Sequence, residues 1–532
     1  MAMVEDASKL WVTLLLVAMV AMVGCEGRAT ALKVNTRDAA PDGPRVTTYF
    51  VELNPFRQLD LVFMIDNSPS MAPKQAKLRA NFPRLIAALQ NPIDGGLPDL
   101  RVAIIDSDLG TGGAYQSGSC GPKSPGTGTG LLGDMGKFQM IGAQACGVTA
   151  SSALWLEYAQ GRPVNFTGDI NTVFACLAGN LGTLGCGLEH QLQAFEFALV
   201  AKNIGNDEQQ KMLRPNANLG LVFLSDEDDC SAAANYGMLG ETMELRGESA
   251  SLRCVTRSGT CDGKNLTTSP PGYPTSAAFA APFASCQART DACPSTLDGK
   301  SGTDTSKPTG CSPLRNIDRV ADQIRALKAK PDEQIFVVGI FGWPLDDAAL
   351  AEAKLKIALI PNPNTADTQH PQVYDAWPVC YDPDHPPTDV DATTGFDPDA
   401  AGWGATGGLR LSAFIDRFGD NGLKFSICQP DFSDSMRLIG GGMARKMQNL
   451  CLPEIFTSHA SCTASYLIPD AAGNDVRDPS VIPICDGSSY PCYSLVSDPT
   501  LCPGTDYLVQ LDRGPAADEP IKPGTRIEFR CQ

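Results

Sequence analysis

The chain has 532 residues, 43% of them hydrophobic, and its 42 basic against 60 acidic residues give a net charge of −18. That length buries a large core and accommodates more than one domain, while the charge excludes a general attraction to nucleic acid or anionic lipid. Nineteen cysteines beside four histidines exclude an ordinary reduced, cytosolic setting. No Cys/His spacing of the zinc type occurs, so the cysteines are expected to form structural bridges.

Leu10 to Val23 is continuously apolar, yet shorter than the roughly 20 residues that span a bilayer. It runs into Met22-Val23-Gly24-Cys25. This ending resembles the lipobox of bacterial lipoproteins, which implies lipidation at Cys25 and a mature chain that starts there. Met22 stands where Leu is usual, and Glu5 and Asp6 accompany a single Lys9 in the leader. An ordinary signal peptide or a short uncleaved anchor is the alternative. Under each reading the remainder is exported, either held on a bacterial envelope membrane by its N-terminal lipid or secreted. Residues 26–54 are polar and irregular and are expected to be a linker.

From residue 55 strand and helix patterns alternate. Leu61 to Ile65 is an apolar run of strand length that ends in Asp66-Asn67-Ser68-Pro69-Ser70. A helical pattern follows over 71–90, with Leu78, Phe82, Leu85, Ile86 and Leu89 on one face. Pro83 is expected to kink that helix or delay its start. Further strands are expected at 98–106, 154–158, 219–225 and 334–340. Helices are expected at 171–180, 188–203, 314–329, 409–418 and 432–448. Residues 107–150 read as a long disulfide-tied loop.

Two insertions interrupt the rhythm. Residues 231–313 carry Cys254, Cys261, Cys286, Cys293 and Cys311, and residues 346–405 are acidic and Pro-rich. The alternation predicts an α/β fold over 55–450, with a doubly wound, mainly parallel sheet and helices on both faces. Residues 451–532 hold six cysteines and short alternating runs at 506–511 and 525–530, the signature of a small Cys-rich β module.

The Asp66-x-Ser68-x-Ser70 turn sits at the carboxyl end of a buried strand, where open α/β sheets bind ligands. Its hard oxygen donors suit Mg²⁺, Mn²⁺ or Ca²⁺. By itself such a turn is also an ordinary helix cap. In this setting it resembles the metal-ion-dependent adhesion site of von Willebrand factor A domains, which have a Rossmann-like sheet. The resemblance covers roughly residues 55–450 and not the C-terminal module. It implies a threonine and a second aspartate from two other loops, and Thr183 and Asp226 stand at the matching places. Gly185 stands where the family often has a further hydroxyl. The resemblance further implies Ser68, Ser70 and Thr183 as ligands, with Asp66 and Asp226 reaching the metal directly or through water.

Two carboxylates and three hydroxyls leave a divalent cation short of donors, so it still seeks an anionic ligand; the resemblance implies that this is a Glu or Asp carboxylate from a partner. The expectation is an exported surface protein that binds a protein or surface ligand presenting a carboxylate. An envelope scaffold with a merely stabilising metal is the alternative. A secreted hydrolase is disfavoured, because no GxSxG or HExxH occurs and no nucleophile is set up. The GxGxxG match at Gly128 to Gly133 lies outside any βαβ unit. Asp226 to Asp229 is expected to be a solvated turn with Asp226 alone at the metal, and Glu189-His190 the solvent-facing start of a helix. The acidic residues between 382 and 399 are interrupted by prolines and lack EF-hand spacing, so a plain acidic loop is expected. Both insertions follow strands whose ends share the metal edge, which predicts a cap that selects the ligand.

Overall fold

The computed structural model describes residues 47–53, 57–90, 96–110, 133–150, 152–202, 204–231, 252, 254–255, 259–265, 286–290, 312, 314–345, 356–361, 372–385, 401–447, 462–470, 473–497, 507–514 and 525–531. Cys25, the leader, most of the linker and most of the first insertion lie outside them. In chain order the strands are β1 (Thr47–Glu52), β2 (Gln58–Ile65), β3 (Asp99–Ile105), β4 (Leu156–Ala159), β5 (Arg162–Pro163), β6 (Asn218–Leu224), β7 (Gly259–Cys261), β8 (Lys264–Asn265), β9 (Cys286–Ala288) and β10 (Ile335–Phe341). They continue with β11 (Lys356–Pro361), β12 (Gln372–Tyr381), β13 (Gly404–Thr406), β14 (Gly422–Ser426), β15 (Cys462–Pro469), β16 (Asp475–Ile482), β17 (Cys492–Ser497), β18 (Tyr507–Asp512) and β19 (Arg526–Cys531). The helices are α1 (Ala72–Leu89), α2 (Ile170–Asn180), α3 (Gln191–Leu199), α4 (Ile317–Arg325), α5 (Pro331–Gln334), α6 (Leu409–Asp416) and α7 (Ser433–Met447).

The described residues divide into two compact units, one within 54–452 together with 495–511, the other holding β1, 453–494 and 512–532. The first is built on a seven-stranded mixed sheet in the order β14-β10-β6-β2-β3-β4-β5. From β14 to β3 every neighbouring pair is parallel, and β4 and β5 are added antiparallel. The antiparallel edge suits the sequence of β4, in which only Leu156 is fully buried. Parallel strands need cover on both faces, and β2, β3, β6 and β10 are accordingly buried almost from end to end.

Because strand side chains alternate, β2 feeds two cores. Leu59, Leu61, Phe63 and Ile65 pack with Leu78 and Phe82 of α1, Phe174 of α2 and Met436 and Ile439 of α7. Phe82 and Phe174 stack at 3.7 Å between ring centroids, with Phe63 4.9 Å from Phe174. Val62 and Met64 face the other way, toward Leu192 and Phe195 of α3, Val320 and Ile324 of α4 and Phe414 of α6. The result is three layers, helix–sheet–helix. Helix α1 runs through Pro83 from residue 72 to residue 89, so the proline does not delay its start.

Both insertions contain strands. The first holds the small antiparallel sheet β8-β7-β9, tied by Cys261–Cys286 and joined to the end of β6 through Cys230–Cys254. The second, acidic and Pro-rich, contributes the antiparallel sheet β11-β12-β13; of the stretch expected as an acidic loop, residues 386–399 lie outside the described residues. Cys380 of β12 is bonded to Cys428 just after β14, and Cys146–Cys176 ties the loop after β3 to α2.

The second unit is an antiparallel sheet in the order β1-β19-β15-β16. Its first strand, Thr47–Glu52, falls in the stretch expected as linker; Tyr49 and Val51 are buried in it, and it pairs along its whole length with β19. The alternation of Tyr49 and Val51 is a strand signal that polar surroundings masked. Among the described residues no helix is long and apolar enough to cross a membrane.

Candidate metal centre

Parallel registry brings the carboxyl ends of β2, β3, β6 and β10 to one edge. Phe63 pairs with Ile104 and Ile65 with Leu224, so Asp66, Ser107, Ser225 and Asp226 follow their strands at the same level. The Asp66 amide donates to the Leu224 carbonyl at 2.9 Å, and the Ser225 amide to the Ile340 carbonyl at 3.2 Å. These bonds extend the ladder one residue past each strand and fix the directions of the carboxylates.

Asp66 is wholly buried. Its Oδ1 accepts from the Ser68 amide at 2.8 Å and from Ser107 Oγ at 3.2 Å, and its Oδ2 accepts from Ser225 Oγ at 2.6 Å. Burial, with Asp226 as a second cause, pushes the Asp66 carboxyl up to about 6, against the pull of Ser225 and Ser68. Pro69–Met71 then forms a single 3-10 turn that leads into α1. That turn sets Ser68 Oγ 3.4 Å from Ser70 Oγ.

The Thr183 loop is tied to the same turn. Gln75 of α1 donates to the Asp66 carbonyl at 2.8 Å and to the Gly182 carbonyl at 3.1 Å. The Gly185 amide donates to the Asn67 carbonyl at 2.8 Å. Gly185 is required here: a Cβ at this position would sit 1.9 Å from Asn67 Oδ1. Thr183 is half-buried and Leu184 beside it is 82% exposed.

Asp226 is buried after β6. Its Oδ2 pairs with the ammonium of Lys74, itself 1% exposed in the first turn of α1. Its Oδ1 is a buried oxygen without a protein donor, as are Asn67 Oδ1 and Glu189 Oε1. An unsatisfied buried acceptor costs about 1–3 kcal/mol, so Asp226 Oδ1, on the edge that carries the Ser68 and Ser70 hydroxyls, matches the donor chemistry of a hard cation. Asp66, Ser68, Ser70 and Asp226, with Thr183 at the rim, are the residues that would hold it. Among the described residues no group of three or more His, Cys, Asp or Glu side chains is arranged to hold a metal. The donor set thus depends on hydroxyls beside two carboxylates.

The acidic run after β6 is not a solvated turn. Asp228 and Asp229 are buried along with Asp226. Asp228 accepts from the amides of Arg410 and Leu411, and so caps α6 from a distant part of the chain. Asp229 accepts from the Leu192 amide at 2.9 Å at the start of α3 and pairs with Arg410 at 2.9 Å. Glu189 and His190 are likewise buried, not solvent-facing. Burial first, then Glu227, Asp66 and Asp226, hold the Glu189 carboxyl well above its usual range. Lys74, Gln75 and Ser107 escaped the sequence reading; strand-end alignment of residues 66, 107 and 225 was the available signal for Ser107.

The described end of the second insertion lies on this edge. Thr406 donates its amide to the Asp226 carbonyl at 2.9 Å and its hydroxyl at 3.3 Å. A Cβ on Gly402 would lie 3.8 Å from the Ser70 carbonyl. Trp403 stacks on His385 at 3.5 Å, and Lys77 of α1 lies 5.5 Å from the Trp403 ring while it pairs with Asp382. The first insertion departs from the same edge, where the Cys230 amide donates to the Glu189 carbonyl at 2.7 Å.

No family model matches the chain, and no curated protein matches it. Solved structures with some likeness include the pilus adhesin SpaC from Lactobacillus rhamnosus GG in its open conformation. It is 10% identical with a TM-score of 0.28, over 95% of this chain and 44% of that one. Another is the pilus adhesin RrgA from Streptococcus pneumoniae, 11% identical with a TM-score of 0.27, over 91% and 57%. The chain therefore spans roughly half the length of these adhesins. Likenesses at such scores add no weight to the site described above.

Proposed function

We propose that this chain is an exported surface-binding protein whose α/β unit is a von Willebrand factor A-like domain with a divalent-metal site. The observation that carries this reading is the convergence of Asp66, Ser68, Ser70 and Asp226 on one sheet edge, with Asp226 Oδ1 buried and undonated. Mg²⁺, Mn²⁺ or Ca²⁺ bound there would supply an open coordination position for a carboxylate of the partner. Asp66 is held in place by Ser107, Ser225 and the Ser68 amide, so its carboxylate needs no reorganisation to bind. The Thr406 and Trp403 segment borders the site and would select among partners. Disulfides on both units fit an oxidising compartment. Attachment through a lipid on Cys25 belongs to the same proposal, as does the absence of catalysis.

Thermal unfolding with the disulfides intact tests the metal site. At a metal concentration of 100 times Kd the parent gains about 2.7 kcal/mol, a rise of several degrees at roughly 2–4 °C per kcal/mol. Asp66→Ala and Asp226→Ala should lose that rise. An equal rise in both variants would place the metal elsewhere. A second reading, an envelope scaffold whose metal merely stabilises the domain, is favoured by the Lys74–Asp226 pair, which already balances one carboxylate; it requires stability that depends on metal and partner binding that does not.

A further inference from the structure

Lys74 stands where a cation belongs. It lies in the first turn of α1, four residues past Ser70, with its side chain 1% exposed and its ammonium on Asp226 Oδ2. Nothing local favours a lysine there. The amino end of a helix carries partial positive charge and repels an ammonium, and a buried ammonium is tolerated only when paired. Asp226 is the partner that accounts for its position. The other oxygen of Asp226 is buried and has no donor, so a fixed internal cation occupies one side of the carboxylate and leaves the other able to accept.

We infer that Lys74 is the resident cation of this site and competes with the divalent metal for Asp226. The inference rests on the metal-site reading above and deepens it. When no metal is bound, the Lys74 ammonium neutralises Asp226 and keeps the β6 end in place, so the fold is complete without metal. A divalent metal held there would meet the Lys74 ammonium at the same carboxylate, with the ammonium either kept on Oδ2 or displaced from it. In both arrangements Lys74 lowers metal affinity, and the site is set to respond to metal concentration instead of holding an ion permanently. Gln75, the next residue, donates to the Asp66 and Gly182 carbonyls and not to Asp226, so the loops would stay assembled during the exchange.

The experiment uses the full chain with its disulfides intact and Mn²⁺ as the probe, with free Mn²⁺ followed by electron paramagnetic resonance. Lys74→Met should bind Mn²⁺ at least tenfold more tightly than the parent, and its Tm in chelator should fall below the parent's and recover on adding Mn²⁺. Equal or weaker binding by a folded Lys74→Met overturns the inference and leaves the metal site standing. Absence of Mn²⁺ binding in both chains overturns the metal reading and this one with it. If Lys74→Met does not fold, ¹⁵N-lysine spectra of the parent decide. The protected Lys74 ammonium, assigned by its loss in Lys74→Arg, should shift or vanish at Mg²⁺ saturation, and an unchanged signal overturns the inference.

Discussion

His190 and Asp66 are buried a short way apart in the same edge of the sheet, joined through Ser107, whose carbonyl accepts from the His190 amide and whose hydroxyl donates to Asp66. Burial pushes the His190 imidazole down to about 4, against the attraction of Asp229. The unfolded chain takes up that proton near pH 6.5 and the folded chain only near 4. The contribution of His190 is therefore intact above pH 6.5 and is lost as pH falls toward 4. Asp66 acts in the opposite sense, because its folded carboxyl at about 6 holds a proton more firmly than the unfolded one. It thus favours the folded state increasingly as pH drops below 6. His190→Gln should lose stability less steeply than the parent between pH 6.5 and 4, as read by urea midpoints across that window. Metal binding needs Asp66 as the carboxylate, so Mn²⁺ affinity at pH 5 should be about tenfold lower than at pH 7. A flat profile would remove Asp66 from the ligand set.

At the scale of elements, the parallel strands were readable because each is a short apolar run between turn residues, and their ends named Asp66 and Asp226 directly. Asp228 and Asp229 were not readable as buried, since beside local partners they cap α6 and α3, whose amides lie more than 30 residues away in the chain. The same holds for Lys74: the sequence shows a lysine in a first helical turn, and only the fold shows the carboxylate it meets. β11 and β12 sit in Pro-rich, acidic sequence whose composition favours a loop, and cross-strand pairing overrides it. Cys380–Cys428 closes a loop between β12 and the end of β14 and thereby anchors the segment that borders the site. Cys380→Ala with Cys428→Ala should cost roughly 2–4 kcal/mol. Because Thr406 and Trp403 follow β12, the double variant should also weaken partner capture more than Mn²⁺ binding, measured on the same preparation.

At the scale of the whole molecule, two units with separate cores predict unfolding that is not two-state. The α/β unit is closed by its three layers, whereas the β unit depends on four antiparallel strands, the Cys485–Cys492 disulfide and the Tyr493–Phe529 edge contact at 5.1 Å. Scanning calorimetry should resolve two transitions, of which metal raises one. Asp66→Ala should abolish the rise in that transition and leave the other at its parental temperature. Movement of both transitions by metal would assign a further metal site to the β unit.

The pairing of Thr47 with Cys531 across β1 and β19 also sets an order in time. A chain delivered amino end first presents β1 long before its partner strand exists. The α/β unit, whose strands and helices all lie between, can complete its sheet while β1 waits. The β unit closes last, since contacts this distant in sequence form slowly. A ribosome or export channel that releases the chain progressively would therefore yield a protein whose α/β unit is assembled before its second unit is sealed.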